Sequence, residues 1–387
     1  MMTNDQGPPR ILHLVATYRW SGVAEPATSV AHHHLQAGCG VEMAVFWNGP
    51  FEERLKRVGV PTARGLRIER TLNPWGQLRE IRKLRAYLEE NRVDVVHCHL
   101  IHDHWMAAIA LRGMKGRRPL LVRTVHRFEP MRRDPLNRAL FERMTDMVIT
   151  VSGAQEALIR EAYPAIGNRV RVIHGGVDPQ RFRPDLPGVA EMRAELGAAP
   201  DTVVAGIVAH LGFNRGHRWL MRSVQVALDR IPNAAIWIVG DGEIRDELRR
   251  EAALPRYRRQ VVMAGYRRGD LPVVYAAMDA GLLLGLGSEG SARAALETMS
   301  SAKPLIGVRR GALLDTVTEG HDGFLVPEND TEALASSLVS LLNDRARIRE
   351  MGANARNTVL TRFTEVLRAE TTLAAYREIL AGESGRA

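Results

Sequence analysis

Two glutamates, Glu289 and Glu297, bracket the segment Glu289-Gly-Ser-Ala-Arg-Ala-Ala-Leu-Glu297. The spacing predicts Glu289 in a loop and Glu297 on the helix that follows. At helical rise the separation is about 12 Å, the order of length between the hydroxyl-bearing ends of a nucleotide diphosphate-sugar. Carboxylates accept hydrogen bonds from sugar hydroxyls. A helix start between them offers unpaired N–H groups to a phosphate. A second cluster, His97-Cys-His-Leu-Ile-His-Asp-His104, carries ligand types that suit zinc. However, His97 and His99 alternate along a strand while His102 and His104 lie beyond it. The triplet His32-His33-His34 spreads around a helix, and no D-x-D motif stands out. A retaining hydrolase needs two carboxylates about 5 Å apart, and no such pair is identifiable.

The elements that must position these residues alternate in βαβα order. Strands are expected at Ile11–Ala16, Val41–Phe46, Asp94–Cys98, Leu120–Val125, Met147–Val151 and Arg171–Ile173. Helices are expected at 75–91, where Leu78, Ile81, Leu84 and Leu88 recur at helical spacing, and at Trp105–Leu111. The segment His174–Pro187 is rich in Gly and Pro, has no period, and reads as a linker. The alternation then restarts, with strands at Thr202–Ala209, Ala234–Val239, Gln260–Ala264, Asp279–Leu284 and Pro304–Val308. Helices at 331–342 and 365–380 close the chain. The expected fold class is α/β, with two Rossmann-like doubly wound parallel-sheet lobes facing a central cleft. The first lobe is placed at 1–180 and the second at 188–364. A last helix, 365–387, is free to cross back to the first lobe. No G-x-G-x-x-G follows the first strand and no Walker P-loop occurs, which argues against a nicotinamide enzyme and an ATPase.

The chain has 387 residues, enough for two cores, and 45 % of them are hydrophobic. Its two cysteines, Cys39 and Cys98, read as reduced thiols of a cytoplasmic protein. The polar start, Met1 to Pro9, lacks the apolar region of a signal peptide. No apolar run is long enough to span a bilayer. The net charge of +9 lies entirely in the first half: residues 1–187 hold 28 Lys+Arg and 19 Asp+Glu, residues 188–387 hold 25 of each. A one-sided basic field suggests an anionic partner such as a lipid headgroup or an acidic acceptor.

Five segments resemble, in order, the retaining GT-B glycosyltransferases of glycosyltransferase family 4. They are Asp146-Met-Val-Ile-Thr-Val-Ser152, His174-Gly-Gly-Val-Asp-Pro-Gln-Arg-Phe-Arg-Pro184, Ala209-His-Leu-Gly-Phe-Asn-Arg-Gly216, the Gly240-Asp-Gly242 turn, and the E-x7-E element Glu289–Glu297 with Lys303-Pro304 after it. The likeness runs from about Arg10 to Ala333. It implies that Glu289 contacts the donor sugar and Glu297 the ribose, with Gly290 and Ser291 on the same donor segment. It places His210, Arg215 and Gly216 at the diphosphate, where the family usually has Arg and Lys. Arg for Lys keeps the charge; His for Arg makes it pH-dependent, since free histidine titrates near about 6.5. It sets Ser21-Gly22 where the family has Gly-Gly, and puts His126, at the end of the Leu121–Val125 strand, near donor sugar and acceptor. The family carries H-x-H at His97–His99 without a metal.

The resemblance thus implies sugar transfer, with retention of anomeric configuration, from a UDP-, GDP- or similar nucleotide-sugar to an acceptor hydroxyl. The expected setting is synthesis of cell-envelope polysaccharide, lipopolysaccharide or glycolipid. No cofactor, metal or nucleic acid is expected. The acceptor is expected to be a sugar or lipid-linked molecule, and the enzyme cytoplasmic, with peripheral contact to anionic membrane through the basic first lobe. The two rival readings are a nucleotide-sugar epimerase of similar fold and a non-catalytic nucleotide- or carbohydrate-binding relative. Substitutions at His210 and Ser21 keep the second open.

Overall fold

The computed structural model describes residues 7–66, 68, 73–257, 260–285 and 289–384, with backbone alone for 289–291 and 383–384. The chain divides into two compact units, residues 1–175 with 365–387, and residues 176–364.

The first unit is built on six parallel strands: β1 (Arg10–Leu14), β2 (Gly40–Ala44), β3 (Val95–Cys98), β4 (Leu120–Val125), β5 (Met147–Thr150) and β6 (Val170–Val172). Their order is β2-β1-β3-β4-β5-β6, so the direction of winding reverses between β1 and β3. Strands buried on both faces read as unbroken apolar runs rather than alternating ones; Leu120-Leu-Val-Arg-Thr-Val125 is of this kind and is buried throughout. The final helix, Glu365–Ser384, belongs to this unit and packs on helix Ala24–Gln36. Its Tyr376 is completely buried.

The second unit repeats the architecture with β7 (Val203–Val208), β8 (Ala234–Val239), β9 (Val261–Gly265), β10 (Ala280–Leu283), β11 (Leu305–Val308) and β12 (Gly323–Val326). The order is β12-β11-β10-β7-β8-β9, with the reversal between β7 and β10. In open α/β sheets the crevice at such a reversal, at the carboxyl ends of the strands, is where ligands bind.

Three expectations needed revision. The segment His174–Pro187 is not a loose linker beyond its first residues. Val177 and Phe182 are each 1 % exposed in the core of the second unit. The Val177 N–H donates to the Phe363 carbonyl, and Ser300 Oγ donates to the Phe182 carbonyl. Strand β12 and helix Arg345–Arg362 were not anticipated. That helix hides its buried stripe (Ile348, Met351, Ala355, Val359) among arginines and small residues, which flattens the pattern. Finally, Glu289 is the first residue of helix Glu289–Ser300 rather than part of the preceding loop.

Candidate active site

In the first unit, the functional candidates gather at the carboxyl ends of β1, β3 and β4. Ser21 is half-buried and Gly22 exposed. The Ser21 hydroxyl lies 3.4 Å from the Val23 N–H and 3.3 Å from the Ala24 N–H, and its carbonyl accepts from Glu25. The Ser21 side chain thus accepts from the turn that leads into helix Ala24–Gln36, a contact that glycine could not make, while the N-cap position itself is Val23, with no side-chain cap. His126 follows β4 and is 3 % exposed. Its Nε2 lies 3.0 Å from His99 Nδ1, and His99 Nε2 lies 3.0 Å from His13 Nδ1. His97 sits beside them, its Nδ1 2.6 Å from the Tyr376 hydroxyl and its Nε2 2.6 Å from Thr124 Oγ1.

Ring nitrogens of His13, His97 and His99 come within 4.8 Å of one another, close enough to raise the question of a metal. Both nitrogens of His97 and of His99 are engaged by hydrogen-bonding partners, a pattern that suits a neutral network. Burial pushes all three down: His13 to about 3, with His34 adding to the effect, and His97 and His99 well below the usual imidazole value. His104 is apart from this group, with Nε2 2.8 Å from Thr145 Oγ1, and His34 Nε2 meets the Ala369 carbonyl at 2.9 Å. The cluster that forms is thus not the one suggested by the run 97–104. It recruits His13, which parallel pairing sets directly opposite His97.

Sequence reasoning also missed Asp103 and Arg123 in this unit. Asp103 is fully buried and accepts from the N–H groups of Leu100 (2.8 Å), His104 (3.0 Å) and Ala16 (3.3 Å). It ties the start of helix Ile101–Arg112 to the end of β1. Burial raises its carboxyl to about 7, against the opposing pull of Arg123.

In the second unit, glycines let the loops after β7, β8 and β10 close on one another. Gly216 has φ of +78°, and a Cβ there would lie 2.5 Å from Leu284 Cβ. A Cβ on Gly242 would lie 2.5 Å from the Leu211 carbonyl oxygen and 2.8 Å from the His210 ring. The loops are further joined by hydrogen bonds from Leu211 N to Asp241 O and from Ile244 N to Leu211 O. On this frame stand His210, exposed, and Arg215, half-buried with its guanidinium pushed down by burial. His210 Nε2 is 2.9 Å from a carboxylate oxygen of Glu243, a partner 33 residues away that the motif comparison did not suggest.

Helix Glu289–Ser300 lies flush on β10 at Gly281, where a Cβ would stand 2.3 Å from Thr298 Cγ2. This close approach sets the height of Glu297, which is 7 % exposed. Arg293 Nε lies 3.1 Å from Glu297 Oε1, so this arginine is held against the carboxylate. The neighbouring Tyr275 phenol is pushed well up, first by burial and then by the Glu297 carboxylate. The side chains of Glu289 and Ser291 lie outside the described residues; the backbone of 289–291, Gly290 included, forms the first turn of the helix.

The basic residues of the first unit are only partly available. Arg85 donates to the carbonyls of Ala110 and Ile109 at the end of helix Ile101–Arg112. Arg117 pairs with Asp94, Arg118 with Asp146, and Lys83 and Arg79 with Glu80. Arg82, Arg112 and Lys115 are exposed, as is Trp75 at 78 %. Among the described residues no helix is long and apolar enough to cross a membrane.

Comparison with known proteins joins these observations to a family. Residues 20–181 match the model of Glycosyltransferase Family 4, and residues 202–344 that of Glycosyl transferases group 1. The chain is 26 % identical over 305 residues to the UDP-Gal:alpha-D-GlcNAc-diphosphoundecaprenol alpha-1,3-galactosyltransferase of Escherichia coli, covering 76 % of this chain and 77 % of that one. It is 30 % identical over 192 residues to the GDP-mannose-dependent alpha-(1-6)-phosphatidylinositol monomannoside mannosyltransferase of Mycolicibacterium smegmatis, covering 48 % and 50 %. Among solved structures, a glycosyltransferase from Rickettsia africae superposes with a TM-score of 0.86 at 18 % identity, over 97 % of this chain and 99 % of that one. Anabaena Alr3699/HepE, in complex with UDP and glucose, superposes with a TM-score of 0.77 at 20 % identity, over 95 % and 99 %. The two six-stranded parallel sheets are the two Rossmann-like lobes of the GT-B fold. With family models matching both halves and named transferases among its relatives, the chain belongs to glycosyltransferase family 4 and is a glycosyltransferase.

Proposed function

We propose that this nucleotide-sugar-dependent glycosyltransferase transfers its sugar with retention of anomeric configuration to a lipid-linked acceptor of the cell envelope. The observation that carries the reading is Glu297, a nearly buried carboxylate beside Arg293 on a helix that starts with the motif's first glutamate. Glu297 accepts from the ribose hydroxyls and Glu289 from the donor sugar, while Gly290 and Ser291 offer first-turn N–H groups to the diphosphate. His210, Arg215 and Gly216 complete the phosphate grip, His210 exchanging Glu243 for the diphosphate as it binds. His126 meets the sugar, with the Ser21-Gly22 turn on the acceptor side.

In the reaction, the bond from the anomeric carbon to the diphosphate oxygen breaks. A bond to the acceptor oxygen forms on the same face, and the acceptor's proton passes to the departing diphosphate. The positive groups at the diphosphate stabilise the charge that develops there. No cofactor is required. Turnover is therefore expected to be unchanged in excess chelator; loss of activity in chelator with recovery on adding a divalent ion would overturn this. The test of the overall reading is release of a nucleoside diphosphate from a panel of UDP- and GDP-sugars. Release that depends on a lipid diphosphate-linked or phosphoinositide acceptor supports it. Turnover of the donor without any acceptor points to an epimerase, and binding without turnover to a non-catalytic relative.

The acceptor class is supported by the two relatives whose names carry undecaprenol- and phosphatidylinositol-linked acceptors. Exposed Arg82, Arg112, Lys115 and Trp75 supply charge and an aromatic for an anionic bilayer, each cation adding about 1 kcal/mol near the surface. The protein is expected to co-sediment with anionic vesicles at low salt, less at moderate salt, and not with neutral vesicles. Absence of binding to anionic vesicles at low salt would remove the membrane and leave a soluble acidic acceptor.

A further inference from the structure

Among the described residues of the first unit, three large aromatic rings are exposed: Tyr18, Trp47 and Trp75. Two of the three stand on neighbouring loops, Tyr18 after β1 and Trp47 after β2. Because the strands are parallel, both loops lie on the same edge of the sheet as His126 and the Ser21-Gly22 turn. β1 is two strands from β4, about 10 Å, a length that a disaccharide spans.

Tyr18 is 51 % exposed, yet the turn after β2 is shaped to hold it. Its ring meets Phe46 in a T-shaped contact, with centroids 6.4 Å apart and planes at 81°. Its Cδ2–Cε2 side rests on Gly49, where a Cβ would stand 3.0 Å from both carbons and 3.2 Å from the Tyr18 carbonyl oxygen. Gly49 has φ of −106° and ψ of 164°, extended values that any residue adopts. What a side chain lacks there is room: it would press the Tyr18 ring off its seat. The turn itself is tied down by the Asn48 N–H, which donates to Glu52 at 2.7 Å.

The surroundings of the ring indicate what it fits. Arg19 follows Tyr18 and Asn48 precedes Gly49, and both are exposed. A hydrocarbon chain needs a continuous apolar lining, which one ring among polar side chains does not offer. A pyranose needs an aromatic ring for its C–H face and hydrogen-bonding groups for its hydroxyls. The aromatic face carries the negative lobe of the ring quadrupole and attracts polarised C–H hydrogens. We infer that Tyr18 is a specificity-determining residue that stacks on a sugar ring of the acceptor, and that Gly49 is the residue that seats it. The inference rests on the reading that the acceptor lies at the Ser21-Gly22 side, and it narrows the acceptor class. The acceptor presents a sugar within a disaccharide's length of the reacting hydroxyl; a bare lipid phosphate would leave Tyr18 unused.

The test is saturation-transfer difference NMR on the full chain with methyl α- and β-glycosides of glucose, galactose, mannose and N-acetylglucosamine. At least one glycoside is expected to receive saturation on the ring hydrogens of one face. Tyr18→Ala is expected to weaken that binding about three- to tenfold, the scale of one aromatic contact. Tyr18→Phe and Tyr18→Trp are expected to keep it. Gly49→Ser displaces the ring while supplying an N-cap at least as good as glycine for helix Pro50–Val58, and is expected to match Tyr18→Ala. The calorimetric Kd for UDP or GDP is expected to be the same in all variants. Glycoside binding that is equal in wild type and Tyr18→Ala, or absent from both, would overturn the inference. Loss of binding to anionic vesicles in Tyr18→Ala, with every glycoside unaffected, would also overturn it by assigning the ring to lipid. Tyr18-dependent glycoside binding in a chain that binds no nucleotide-sugar would contradict the proposed reaction while leaving the sugar contact intact.

Discussion

Lowering the pH from 7.5 to 5.5 is expected to unfold the first unit while the second still holds. In the first unit five imidazoles are buried and held neutral. Burial pushes His13 to about 3 and His34 to about 4, and depresses His97, His99 and His104 well below the ordinary value. Among the described residues the second unit has one such ring, His217, lowered to about 4 by burial and then by Arg215. In the unfolded chain each titrates near about 6.5. A histidine with a depressed folded value adds stability that is fully present above pH 6.5 and is lost as pH falls toward the folded value. The loss is roughly 1 kcal/mol per ring per pH unit within that window. Asp103 acts in the opposite sense. Its folded value is raised to about 7, so it contributes stability as pH falls from 7 toward the ordinary carboxylate range, and offsets about one histidine. The remaining excess amounts to several kcal/mol by pH 5.5, against a total stability of roughly 5–15 kcal/mol for a domain. Hydrogen exchange at stepped pH reads the units separately. Protection lost first in residues 7–175 is the expected result, and simultaneous loss in both units would contradict it.

The second large effect is at Glu297. Glu297→Ala is expected to weaken nucleotide-sugar binding by about 1.5–3 kcal/mol, the scale of a lost charged hydrogen bond, or about ten- to more than a hundred-fold in Kd. The substitution also strips Arg293 of the carboxylate 3.1 Å from its Nε. The double variant with Arg293→Met therefore separates loss of the ribose contact from the effect of an unpaired guanidinium. Titration calorimetry with the nucleoside diphosphate alone and with the full donor should show the loss in both, because the ribose is common to them. Wild-type affinity in Glu297→Ala would end the ribose assignment.

Much of this was legible because the relevant information is local. Apolar runs such as Val203-Val-Ala-Gly-Ile-Val208, short and rich in β-branched residues, read as strands covered on both faces. The glycines of the Gly240-Asp-Gly242 turn stand where backbone of the loop after β7, at Ala209 and Leu211, comes too close for a side chain. What stayed hidden depends on contacts between distant segments. His13 lies in an unremarkable strand until pairing sets it against His97. Tyr376 reaches His97 across 279 residues, and Glu243 reaches His210 across 33. Helical spacing states that Arg293 shares a face with Glu297, not that this face is buried. Serine at position 21 reads as a weakened glycine turn, and its hydroxyl's contacts with the Val23 and Ala24 N–H groups emerge only once the helix start is known.

The central claim, transfer with retention from a nucleotide diphosphate-sugar, is tested most directly by proton NMR of the glycoside formed during turnover, read at the anomeric carbon before any equilibration. With an α-linked donor such as UDP-glucose, UDP-galactose or GDP-mannose, whichever the enzyme accepts, the account predicts an α-linked product and one equivalent of nucleoside diphosphate per sugar transferred. A β-linked product would contradict it.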